Sequence, residues 1–151
     1  MANLNDVGEN DDWRCWLCDE PVDPDMSVND PRGPSIDSIT TKSKSKNKSA
    51  TNVFGEERLA HRNCNTKKGA IAPVVAWPGH LFVVDPAPII GSVERLTRKG
   101  GREVVARCPS EEDANDAAAW LIDRLQRLVP RGSFSASVES GGGHYLLVLN
   151  S

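Results

Sequence analysis

Aromatic side chains are scarce in this chain, with four Trp, three Phe and one Tyr among 151 residues. Long hydrophobic runs are missing as well. No stretch approaches the ~20 apolar residues a membrane-spanning helix requires, which excludes an integral helical membrane protein. Residues 1–12 are polar and acidic, without the apolar core of a secretory signal, so a cytoplasmic setting is expected. Cysteine is limited to Cys15, Cys18, Cys64 and Cys108. Without a secretion signal these do not read as a disulfide framework, and a C-x-x-C pair in a reducing compartment points to metal or redox chemistry. A redox pair should close a strand in a βαβ unit. Cys15 and Cys18 instead lie between an acidic segment and a proline-rich loop, which favours metal.

The net charge of -3 conceals an asymmetry. Residues 1–37 hold ten acids against two bases, residues 38–69 eight bases against two acids, and residues 70–151 nine acids and eight bases. A local basic stripe of this kind commonly meets phosphate. Lys42, Lys44, Lys46 and Lys48 alternate with polar residues in a solvated loop, either a plain linker or a phosphate-contacting one. Arg62, Lys67 and Lys68 follow at the end of a helix.

Three segments are expected. Residues 1–12 form a disordered acidic tail. Residues 13–72 form a small module, with a brief strand over 36–41 and a helix over 56–68 ended by Gly69. Residues 80–151 form a small α+β domain with strands at 81–84 and 92–97. There Gly100-Gly101 closes a hairpin into 103–107, and residues 133–139 and 144–149 make a terminal hairpin. Its helix over 110–129 is signalled by the box Ser110 to Asp113 and by Ala114, Ala117, Ala118, Leu121, Leu125 and Leu128 at helical spacing. That apolar face is core, or else a surface for a second copy or a partner protein. Cys108 reads as a buried small hydrophobe. His80 and His144 read as surface positions.

The chemistry concentrates in Cys15, Cys18, His61 and Cys64: C-x2-C, 42 residues, then H-x2-C. Zinc takes four nitrogen or sulfur ligands in a tetrahedron, and two short-spaced pairs from distant parts of a chain build a closed structural site. His61 and Cys64, three apart on the expected helix, would face one way. A module of ~55 residues with so few hydrophobes needs such a staple to fold. Trp13 and Trp16 are expected to pack over it.

Residues 15–69 resemble the HNH endonucleases. The opening C-W-L-C, the P-S-I-D-S of 34–38, Asn52, and R-L-A-H-R-N-C-N-T-K-K-G over 58–69 carry the resemblance. It implies a zinc-stapled ββα-metal module and a hydrolase acting on DNA, in a family common in bacteria and their phages. Asp37 and Asn65 would hold a catalytic Mg2+ or Mn2+, and Asn52 would brace the loop. Such an ion neutralises the transition-state phosphate and stabilises the leaving oxygen. Two features depart from the pattern: the stretch from Val53 to Arg58, between Asn52 and Leu59, is longer, and one position is changed. The general-base histidine is replaced by Ser38, whose hydroxyl cannot accept a proton usefully at neutral pH. Losing a positioned base costs about 10²–10⁴ in rate. The expectation is therefore a DNA-binding protein with weak or lost endonuclease activity. A non-catalytic DNA-binding or assembly module, or a protein-interaction protein acting through 80–151, stands as the alternative.

Overall fold

A computed structural model describes residues 3–38, 54–69, 73–130 and 132–151. The chain divides into two compact units, Met1–Val74 and Val75–Ser151.

Unit 1 opens with a helix, α1 (Leu4–Asn10), where a disordered tail was expected. Asn3 caps it by accepting from the Asp6 backbone N–H at 2.9 Å. Val7 and Gly8 are buried. The Trp13 ring lies so close over Gly8 that a Cβ there would sit 2.5 Å from it, so only glycine permits this packing. Asp11 then anchors the segment. Its carboxylate accepts from Arg58 Nε at 2.8 Å and from the Leu59 backbone N–H at 2.6 Å. Composition predicts disorder because it cannot register partners more than forty residues away.

Strand β1 (Pro34–Ser38) pairs antiparallel with β2 (Glu57–His61), placing Asp37 opposite Arg58 and Ser38 opposite Glu57. Helix α2 (Arg62–Lys68) follows directly. The helix expected over 56–68 is thus corrected: its first half is strand. The reason lies in backbone partners outside the hairpin. Trp16 N–H donates to Leu59 O at 3.0 Å, Asp11 takes the Leu59 N–H, and His61 N–H points at Cys15 Sγ at 3.5 Å. With β1 on one edge and these groups on the other, Leu59 and Ala60 are fully buried. Gly69 ends α2 as expected, at φ +57°, its N–H donating to Asn65 O.

Unit 2 contains α3 (Ile89–Lys99), β3 (Arg102–Cys108), α4 (Glu111–Leu128), β4 (Ser135–Gly141) and β5 (His144–Asn150). The three strands form an antiparallel sheet in the order β3-β5-β4. Two expectations are corrected. Residues 92–97 belong to α3, whose Ile89, Val93 and Leu96 bury one face at helical spacing. Gly100-Gly101 therefore joins a helix to β3 rather than closing a hairpin. Residues 81–84 form no strand, and Val84 makes a single bridge to Arg107. Elsewhere the expected elements are present. Ser110 Oγ accepts from the Asp113 N–H and donates to its carboxylate. Ala114, Ala117, Leu121, Leu125 and Leu128 are buried on α4, and Leu147, Val148 and Leu149 on the central strand. Cys108 is fully buried. Among the described residues no helix is long and apolar enough to cross a membrane.

Candidate metal centre

The tight turn after Arg14 builds the first half of the centre. Cys15 N–H donates to Glu20 O and Asp19 N–H returns to Cys15 O, so the chain folds back on itself within five residues. Cys15 and Cys18 are thereby presented on one side. The second half comes from the β2–α2 junction. His61 is the last residue of β2, in extended backbone (φ -62°, ψ 141°), and caps α2, while Cys64 lies in the helix's first turn. The expected helical i, i+3 pairing is replaced by a strand-to-helix corner, which still turns both side chains toward the cysteine turn.

The ligand atoms of Cys15, Cys18, His61 and Cys64 all lie within 4.8 Å of one another. His61 Nδ1 is 3.3 Å from Cys18 Sγ and 3.9 Å from Cys64 Sγ. Tetrahedral zinc, with bonds of ~2.3 Å to sulfur and ~2.0 Å to nitrogen, requires ligand separations of roughly 3.5–4 Å. These four residues could hold a metal ion such as zinc. The imidazole is set for it, since Nε2 lies 3.0 Å from Pro21 O. A carbonyl can only accept, so the ring proton sits on Nε2 and the Nδ1 lone pair faces the sulfurs. Among the described residues no buried side-chain nitrogen or oxygen lacks a partner.

The sulfurs also perturb one another. The thiol of Cys18 donates to Cys15, which holds Cys15 down at about 4. The same bond, with burial, pushes Cys18 up. Burial raises Cys64, and the charge on Cys15 raises it further. Three sulfurs crowded into a partly buried corner resist joint ionisation, a resistance that a divalent cation held among them would relieve.

The residues expected around a catalytic ion are placed differently. Asp37 is 2 % exposed, and both of its oxygens meet protein donors. Trp16 Nε1 donates to Oδ2 at 3.0 Å, and Lys68 Nζ pairs with Oδ1 at 3.2 Å. Asn65 reaches β1 from α2, its Nδ2 donating to Ser35 Oγ and to Ile36 O, both at 3.2 Å. Because Ile36 O can only accept, the amide nitrogen rather than the oxygen faces the strand. Asp37 and Asn65 are thus brought to one strand–helix boundary, but their contacts do not fit a shared Mg2+ or Mn2+. Ser38 is exposed at the end of β1. Asn52 and the lysines at 42, 44, 46 and 48 lie outside the described residues.

Of the basic residues on α2, Arg62 and Lys67 are exposed, and Arg62 reaches back to Val28 O and Asn29 Oδ1. Lys68 is buried, which corrects its expected place on a basic surface. Its burial had a signal, because Cys64 and Lys68 are four apart and share the inward face of α2. Trp16 packs against Phe54 and under the Arg58 guanidinium, 5.5 Å from its ring centre. Comparison with protein-family models, curated proteins and solved structures finds no match to this chain.

Proposed function

We propose that unit 1 is a zinc-stapled ββα module of the HNH type that binds nucleic acid, DNA foremost, with phosphodiester hydrolysis feeble or lost. The observation that carries this reading is the cluster of Cys15, Cys18, His61 and Cys64 at the corner where an antiparallel hairpin runs into a helix. A ligand pair in a turn and a second pair at a strand–helix junction accord with the order of elements that the resemblance implies. Asp37 on β1 and Asn65 on α2, which meet at one strand–helix boundary, are the pair the resemblance assigns to such a module. In chemical terms, the corner supplies a rigid frame rather than a reaction centre. Ser38 cannot activate a water, and the two side chains bonded to the Asp37 carboxylate, Trp16 and Lys68, are donors rather than bases.

The binding part of the reading is supported by charge. Arg62 and Lys67 are exposed on α2, and the sequence joining β1 to β2 carries four further lysines. Such contacts bind phosphate without reading bases, and release counterions in proportion to their number.

The test is retention of a labelled duplex by the zinc-loaded full chain over a salt series. Binding that weakens steeply with salt is expected. Replacing the four tract lysines with alanine should flatten the log–log slope by roughly 3–4, at ~0.9 per phosphate contact. Absent binding, or binding indifferent to both salt and lysines, would remove the reading.

A further inference from the structure

A metal-dependent nuclease keeps a carboxylate open to a hydrated cation. Here the equivalent carboxylate is closed. Asp37 and Lys68 have side chains only 3 % and 6 % exposed, and their charged atoms are 3.2 Å apart. The second oxygen of Asp37 is held by Trp16, which also stacks beneath Arg58. The ammonium makes a further bond to Gly69 O at 3.3 Å. A buried carboxylate demands one compensating positive charge, and a covalently tethered ammonium supplies it without dehydrating a divalent ion.

We infer that Lys68 is the resident cation of Asp37: its ammonium takes the place beside the carboxylate that a divalent ion would need, so the module carries no catalytic metal. This deepens the proposal above, on which it rests for the identity of the excluded ion. Admitting Mg2+ or Mn2+ would set a double charge beside a buried single one. Alternatively the lysine would have to leave, abandoning its bonds to Asp37 and Gly69. Asn65 reinforces the exclusion, because it offers β1 its amide N–H groups and not an oxygen. On this view the site is disarmed twice, by Ser38 at the base position and by the ion pair that Lys68 makes with Asp37.

The decisive probe is Mn2+ alone, titrated into the zinc-loaded full chain and followed by electron paramagnetic resonance. The natural chain should take up no Mn2+ that depends on Asp37 up to the ~1 mM range of weak oxygen-ligand sites. The K68M variant should bind one Mn2+ at least tenfold more tightly, and the D37N/K68M double variant should lose it. Uptake by the natural chain that D37N abolishes would overturn the inference. So would a folded, zinc-retaining K68M chain that binds none. Should K68M fail to fold, the natural chain still decides. The Lys68 ammonium proton signal should survive Mn2+ addition unbroadened, and paramagnetic broadening would refute its role. Duplex retention is a separate readout: its failure removes the nucleic-acid reading and leaves the Mn2+ result standing.

Discussion

Trp16 and Asp37, twenty-one residues apart, are joined by a 3.0 Å hydrogen bond from the indole nitrogen to a buried carboxylate. Trp16 stands between the paired cysteines of the candidate metal centre, and Asp37 is the penultimate residue of β1. The bond therefore couples the metal corner to the strand that would carry chemistry in a nuclease. Together with Leu59 O, which accepts from the Trp16 backbone, it holds the cysteine turn against the free edge of β2.

Removal of metal should dismantle unit 1 and spare unit 2. Elemental analysis is expected to find one zinc per chain, reduced to a small fraction by His61→Ala or Cys64→Ser. Structural zinc contributes about 10–16 kcal/mol to small domains, far beyond what the few large side chains of this unit supply. Chelation should expose residues 3–69 to protease while residues 75–151 stay protected, since their core of α4 and β5 uses no metal ligand. Because Cys18 and Cys64 hold their protons up to high pH, zinc uptake should release protons and weaken as pH falls. Full protection of unit 1 in chelator would contradict this.

How far these features can be read from the sequence depends on the range of the forces behind them. The cysteine pairs were legible because ligand spacing is local, and α4 because its periodicity and Ser110 cap lie within one stretch. Strand β2 was not. E-R-L-A-H suits a helix by composition, and it is β1 on one edge with the distant Trp16, Asp11 and Cys15 on the other that makes it extended. The same holds for α1, whose anchor at Asp11 depends on Arg58. Lys68 shows the limit at the site itself. Its position beside Asp37 turns a surface base into a buried counter-charge, and charge counting along the chain cannot tell the two apart.

Asp11 separates the need for an acceptor from the need for a charge. Burial lifts its carboxyl above the ordinary 3.8, against the downward pull of Arg58 and of the Leu59 N–H. The ionised form is therefore less favoured in the folded state than in the unfolded one. By linkage, its contribution to stability falls as pH rises from 3.8 through the raised value. Asp11→Asn, which keeps an oxygen for the Leu59 N–H, should cost less than about 1 kcal/mol, and should gain on the natural chain across that window. Asp11→Ala leaves a buried N–H and the Arg58 guanidinium short of a partner and should cost about 2–4 kcal/mol. Urea titrations at several pH values measure both. Equal losses for Asn and Ala would show that charge alone matters.

Ser110 offers a control confined to unit 2. Its hydroxyl accepts from the Asp113 N–H at 3.1 Å and donates to the Asp113 carboxylate at 2.8 Å, closing the first turn of α4. Ser110→Ala should lower stability by about 1 kcal/mol, and Ser110→Gly by only a few tenths of that relative to serine. Neither should alter zinc content. A change in metal retention would mean the two units do not fold independently.

Ser38 tests whether a missing base or a missing cation silences the hairpin. If the base alone were lacking, Ser38→His would restore plasmid nicking in Mg2+ or Mn2+, by a factor on the order of 10²–10⁴. A base that activates water is not enough, however, where no ion neutralises the phosphate and the leaving oxygen. With Lys68 seated 3.2 Å from Asp37, the single variant is expected to stay at the background rate of the natural chain. Nicking should emerge only in S38H/K68M, and should vanish again when Asp37→Asn is added. Cleavage by Ser38→His alone would show that the lysine yields to a divalent ion during turnover, and that the serine was the whole of the defect.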